Sequence, residues 1–150
     1  TYTKNSAVFK SDEYTIYTRL IEGKYFAYQK MFTEGEINTC ASRTALIGAM
    51  TRAKMCTEEK QPAVFQIEDD VLNISIRDKL ADYQEQVPLQ KTVCKSIRLG
   101  FDSRLVLETL KAFTCDNIAL GFTSPRTPMI VEAEDSDMKA MVLPVAIREA

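Results

Sequence analysis

Acids and cysteines are the residues of this chain that could do chemistry, and their spacing argues against most of it. The sequence has no histidine, so the usual proton shuttle near neutral pH is missing. Cys40, Cys56, Cys94 and Cys115 are separated by 16, 38 and 21 residues. None forms a C-x-x-C pair, and a zinc site made of all four thiolates would match no common metal-binding spacing. A disulfide framework is a poor fit for 150 residues without a secretory signal. Each cysteine lies in or beside an apolar stretch, so four buried free thiols are expected. The acids gather at Asp69-Asp70 and at Glu134-Asp135-Ser136-Asp137, where the pattern predicts solvated turns. No Gly-rich phosphate loop is present, and no nucleophile has an evident base. The chain is read as a non-enzyme with no cofactor and no metal.

The bulk numbers bound what remains. A hydrophobic fraction of 45% and a charged fraction of 27% are those of a globular protein with a real core. No run approaches the roughly 20 apolar residues of a membrane span, and no signal peptide opens the chain. A net charge of −2 argues against nucleic-acid binding by bulk charge, though a basic face fits within such a total. At this length there is room for one ordinary domain and a piece of another. The chain opens on Thr1 rather than Met, and is read as an excised part of a longer one.

The elements follow from periodicity. Ala7-Val8-Phe9 and the alternating run from Tyr14 to Leu20 predict a strand pair around the polar turn Lys10 to Glu13. Gly23 breaks the pattern, and the aromatic stretch from Tyr25 to Phe32 predicts a packed connector. A lone strand pair is marginal in water, so residues 1–24 are expected to belong to a larger sheet or to lean on the main domain. Ile37 to Ala41 predicts a strand. Ser42 then caps a helix carrying Ala45, Leu46, Ala49, Met50 and Ala53 and running to about Cys56. A loop spans Thr57 to Pro62. Val64 to Ile67 and Val71 to Ile76 predict strands joined by a hairpin at Asp69-Asp70. Leu80 to Val87 is a weaker strand ended by Pro88.

The same order then recurs. Val93 to Phe101 predicts a strand, and Asp102 or Ser103 caps a second helix with Leu105, Val106, Leu110 and Phe113. Ile118 to Phe122 and Pro128 to Ala133 predict strands, and the apolar stretch Lys139 to Ile147 closes the chain. Ser42 matches Asp102, Leu46 matches Val106 and Met50 matches Leu110, each 60 residues on. Two copies make a duplicated supersecondary unit rather than a solenoid. The predicted fold class is α+β: two β-α-β-β-β halves, with both helices on one face of curved antiparallel sheet. In the closing stretch, Pro144 cannot donate to a ladder, so it sits at an edge, at a bulge or just past a strand's end. On composition alone that stretch is a core strand with a frayed tail, next to the charged end Arg148-Glu149-Ala150.

Three stretches carry a family resemblance. LIEGKYFAYQK at residues 20–30 resembles the L-I/V-D/E-G-K/R-F-P-D-Y linker of the bacterial sliding clamp family, the beta subunit of DNA polymerase III. GFDSRLVLETLKAF at 100–113 resembles the second helix of that family's last domain, and VLPVAI at 142–147 resembles its terminal I/V-M-P-V/M-R-L. Phe26-Ala27 replaces the family's Pro-Asp, Leu105 stands where Tyr is frequent, Ala146 replaces Arg, and residues 148–150 extend past the usual end. The resemblance implies the processivity-clamp fold, with residues 1–34 as the last strands of a middle domain plus connector. Residues 35–150 would be a complete third domain.

It also implies function. Clamps encircle duplex DNA as a ring dimer and tether polymerase, clamp loader and repair proteins in the cytoplasm, holding their hydrophobic peptide tails in a groove. Carried over by position, that groove comprises Phe26, Met31, Leu105, Pro128, Met141, Leu143, Pro144 and Val145. Flexible Met and Leu side chains suit the reshaping that such a site needs. The same residues could instead be plain core. The part of the groove supplied by the middle domain is expected to be absent, and binding correspondingly weaker. Arg43, Arg52, Lys54, Arg104 and Lys111 are implied to face the DNA, where weak sequence-independent attraction lets a clamp slide. Glu108 shares and dilutes that face, and a solvated surface explains it as well. Met55 and Cys56 match an apolar pair used in ring closure, or serve as a helix C-terminal contact. A free-standing peptide-binding domain of the same fold is the alternative.

Overall fold

The computed structural model describes residues 1–56, 61–77, 82–135 and 137–147. The expected loop residues Thr57 to Lys60, the start of the weak strand at Leu80, Ser136 of the acidic turn and the terminal residues 148–150 lie outside the described residues. The chain forms two compact units, Thr1–Lys30 and Met31–Ala150.

The first unit is an antiparallel hairpin of β1 (Ser6–Lys10) and β2 (Thr15–Arg19), in register from Ser6 opposite Arg19 to Lys10 opposite Thr15. The alternation of residues 14–20 predicts one buried face, yet every residue of β2 is exposed. Two strands offer no second layer against which a face could be buried. Gly23 adopts φ of +121°, open to glycine and costly to other residues, and so ends the strand pattern. Tyr25, Phe26 and Tyr28 follow as a cluster of rings, Tyr25 stacked on Phe26 at 5.3 Å. A 3-10 turn spans Tyr28–Met31.

The second unit contains the duplication. Its order is β3 (Ile37–Ser42), α1 (Arg43–Met55), β4 (Ala63–Glu68), β5 (Val71–Arg77) and β6 (Asp82–Pro88). The second half repeats it as β7 (Ile97–Phe101), α2 (Ser103–Ala112), β8 (Asn117–Phe122), β9 (Met129–Ala133) and β10 (Lys139–Val142). The halves are not separate sheets. One sheet runs β10-β9-β8-β3 and the other β6-β5-β4-β7, all antiparallel, so each half lends its first strand to the other. The alternating inward residues of both sheets (Phe65, Ile67, Leu72, Ile74, Leu120, Val131) form one core with Leu46, Ala49 and Met50 of α1 and Val106 and Leu110 of α2. Phe65 meets Phe101 edge to face at 5.1 Å, joining β4 of the first half to β7 of the second.

Both helix starts are fixed by the predicted caps. Ser42 accepts from the Ala45 N–H at 3.4 Å, and Asp102 from the Arg104 N–H at 2.8 Å. Asp69 takes a left-handed φ of 52° in the two-residue loop between β4 and β5, which aspartate tolerates. Pro88 is not the strand's stop but its last rung, opposite Val71, acceptable because β6 is a sheet edge. The strand expected from Val93 begins only at Ile97. Val93 is buried by another route, its N–H donating to the Asp69 carbonyl at 2.7 Å. The neighbouring Cys94 is therefore exposed, against the expectation for all four thiols. Cys115 is buried, Cys40 and Cys56 are half-buried, and all four are free. Among the described residues, no helix is long and apolar enough to cross a membrane.

Candidate functional site

The closing stretch is paired only as far as Val142. In β10, Met141 lies opposite Ile130 and Val142 opposite Met129. That register brings Leu143 and Pro128 to the same end of the ladder. Pro144 stands two residues past the last rung, one of the places open to a residue without an N–H. Beyond it, Val145 bridges to Gly100 of β7, in the other sheet, its N–H donating to the Gly100 carbonyl at 2.8 Å. The stretch thus crosses from one sheet to the other. Helix α2, which carries Leu105, packs against β10.

These side chains are not core. Leu143 is 61% exposed, Leu105 49% and Val145 42%, whereas Val142 and Val106 beside them are buried. Met141, Pro128 and Pro144 are half-buried. An alternating strand would bury every second residue. After Val142 that alternation stops, and apolar side chains remain at the surface. Met31 is on the margin of exposure at the start of the second unit. Phe26 belongs to the first unit and stacks on Tyr25.

The basic residues of the helices have partners close at hand. Arg43 Nε donates to the Cys115 carbonyl at 2.6 Å. Arg52 grips Glu85 of β6 with two bonds, at 2.8 and 2.6 Å. The Tyr83 hydroxyl lies between the Ala49 carbonyl, at 2.9 Å, and the same Glu85 carboxylate. The Arg52 bonds and then the Tyr83 bond hold the Glu85 carboxyl down at about 2, and burial followed by Glu85 pushes the Tyr83 phenol up. Arg104 pairs with the capping Asp102 at 3.2 Å. Burial works against the Asp102 charge, but bonds from the Arg104 side chain and backbone hold it below the usual range. Lys54 and Lys111 are exposed. Sequence reading passed over Glu85 and Tyr83. The signal was there in β6, where Tyr83, Glu85 and Val87 alternate toward the helices.

The acidic turns are structural. Asp69 and Asp70 carbonyls accept the Val93 and Leu89 N–H groups at 2.7 Å. Glu134 accepts the Cys40 thiol at 3.1 Å. Burial and then that bond push the thiol up to about 11, which leaves it unreactive near neutral pH. Among the described residues, no group of three or more acids or cysteines could hold a metal. At the other end of α1, Met55 is 81% exposed and Cys56 caps the helix through its N–H to Ala53.

Residues 32–146 match the family model described as DNA polymerase III beta subunit, C-terminal domain. The chain belongs to the DNA polymerase III beta subunit family. Among curated relatives it is similar to the beta sliding clamps of Halalkalibacterium halodurans, 25% identical over 140 residues, and of Staphylococcus aureus, 24% over 149 residues. The match takes in 90% and 96% of this chain, but 37% and 40% of those proteins. The chain thus spans about two fifths of the length of these beta subunits. Solved sliding clamps from Caulobacter crescentus (TM-score 0.89, 13% identity) and Pseudomonas aeruginosa (TM-score 0.87, 19% identity) share its fold over 97% of this chain and 40% and 41% of theirs. The clamp fold expected for a beta subunit, two β-α-β-β-β halves with antiparallel sheets and two helices, is the fold observed.

Proposed function

We propose that this chain is part of a DNA sliding clamp, a non-catalytic processivity factor. As one arc of a ring dimer it encircles duplex DNA in the cytoplasm and tethers polymerase, clamp loader and repair proteins through short hydrophobic motifs. Residues 1–34 are then the last strands of a preceding clamp domain plus its connector, and 35–150 the third domain. The observation that carries this reading is the family match over 32–146 together with the closing stretch, which departs from its sheet and leaves apolar side chains in solvent. Met31, Leu105, Pro128, Met141, Leu143, Pro144 and Val145 supply the wall of the peptide groove from the second unit. An extended peptide with leucine or phenylalanine anchors gains by covering such a wall, since each buried apolar side chain contributes about 1.5–3 kcal/mol.

Lys54 and Lys111 are the exposed lysines on the helices offered to DNA. Arg43, Arg52 and Arg104 share that face, each with a carbonyl or carboxylate also in bonding distance. Met55, with Cys56, suits the ring interface. The test is a titration of this chain with a fluorescein-labelled peptide carrying leucine and phenylalanine anchors. Leu143→Asp is expected to weaken binding at least about tenfold, one lost anchor contact. Equal affinity for both proteins would sink the groove assignment.

A further inference from the structure

The two sheets are stitched at two seams, and the seams are copies of one contact. At the first, the segment leaving β6 crosses to β3. Leu89 bridges to Ala41, and the Gln90 N–H donates to the Cys40 carbonyl at 2.7 Å. At the second, the segment leaving β10 crosses to β7, and the Val145 N–H donates to the Gly100 carbonyl at 2.8 Å. Cys40 and Gly100 are equivalent under the same 60-residue offset that relates Ser42 to Asp102.

The copies have diverged. The first seam is closed by side chains: Leu89, the counterpart of Pro144, is 7% exposed, Thr39 Oγ1 donates to the Lys91 carbonyl at 2.8 Å, and Gln90, the counterpart of Val145, donates its Nε2 to Asn117 Oδ1 at 2.7 Å. At the second, Pro144 is half-buried where Leu89 is buried, Val145 is exposed as Gln90 is but has no polar side chain to tie it down, and the residue beneath it has no side chain. A Cβ on Gly100 would lie 2.8 Å from the Val145 carbonyl oxygen and 3.0 Å from Ile147 Cγ1. The first is backbone and cannot swing aside. Gly100 does not have a positive φ, so its lack of a side chain serves this approach rather than a backbone conformation. Its neighbours in β4 and β7 do not explain it either, since strands favour larger residues.

We infer that Gly100 is a positioning residue for the peptide groove: it is the seat on which the closing stretch rests, and it sets where Leu143, Pro144 and Val145 stand. The role in binding rests on the groove reading above; the seat itself does not. A seat held by a backbone bond under an exposed Val145 leaves the wall adjustable, as a site for varied apolar anchors requires, while the closed first seam keeps the sheets in place.

The experiment compares the native chain, Gly100→Ala, and Gly100→Ala lacking residues 145–150. Amide hydrogen exchange of Val145 and of core amides in β4 is read by NMR, alongside titration with the labelled leucine-phenylalanine peptide. In Gly100→Ala, Val145 exchange is expected to accelerate while Phe65 and Ile67 keep their protection, and peptide affinity to fall about tenfold. Unchanged Val145 exchange would overturn the seat. Faster exchange with undiminished affinity, where Leu143→Asp does weaken binding, would overturn its role in the groove. Faster exchange with no peptide binding by any of the proteins upholds the seat and sinks the groove reading instead. Should Gly100→Ala not fold, the shortened double variant must, because the two atoms that the methyl strikes most closely are gone and Pro62 Cβ, at 3.3 Å, needs to give only slightly; failure there too would overturn the proposal.

Discussion

At the scale of single residues, Arg52 shows how a helix cation can look available in sequence and be engaged in the fold. It stands on the helix expected to face DNA, yet Glu85 takes both arms of its guanidinium. Such a bidentate pair is geometrically specific but, with Arg52 more than half exposed, of modest strength. Its pH dependence has a definite sign. Glu85 is held at about 2 against an ordinary 4.5, so its contribution is fully present above 4.5 and is lost as pH falls through 2. Glu85→Gln is expected to lower the melting temperature by about 2–4 °C at pH 7, consistent with the loss of one exposed pair and one phenol bond. The gap between variant and native should narrow from pH 4.5 downward, which thermal unfolding followed by circular dichroism will show. A gap that persists unchanged at pH 2 would mean that the carboxylate charge is not what matters. The partner could not be named from sequence, since residues 52 and 85 meet only through the packing of α1 on β6.

At the scale of elements, local signals read well and non-local ones did not. Ser42 and Asp102 were legible as caps because a cap acts within three residues of itself. Their bonds differ in length, 3.4 Å against 2.8 Å, and Asp102 also accepts from the Arg104 side chain at 3.2 Å. Asp102→Ala is therefore expected to cost about 1–2 kcal/mol and Ser42→Ala about 0.5–1 kcal/mol, measured by urea unfolding. The reverse order would show that the alanine in each case frees a different competing conformation. Val93 misled for the opposite reason. An apolar residue before a strand pattern reads as strand, but Val93 is buried through a bond to the Asp69 turn, 24 positions earlier in the chain. The closing stretch was legible to the end of its pairing at Val142, and Pro144 marked the departure. Its onward course to Gly100 was not, because nothing in a run of apolar residues says which sheet it will meet.

At the scale of the whole second unit, the duplication visible in the sequence hides an exchange. Two repeats 60 residues apart suggest two self-sufficient halves, but β3 pairs with β8 and β7 with β4. Each four-stranded sheet is thus three strands of one half and one of the other. Both helices contribute to one shared core, and the Phe65–Phe101 contact crosses between the halves. A half alone would leave its first strand unpaired and its helix without the facing one. A fragment of that size buries a smaller share of its surface than a larger domain does and sits near the limit of independent stability. Residues 31–95 and 96–150, produced separately, are therefore each expected to lack a cooperative melt and dispersed amide resonances. Mixed, they should recover both, at a melting temperature that rises with concentration because association replaces a covalent link. A cooperative transition from either half alone would show that the exchanged strand is an addition to a fold already complete. Recovery on mixing would show that the unit of folding is the pair of repeats, which is the condition for one seam to be closed and the other left adjustable.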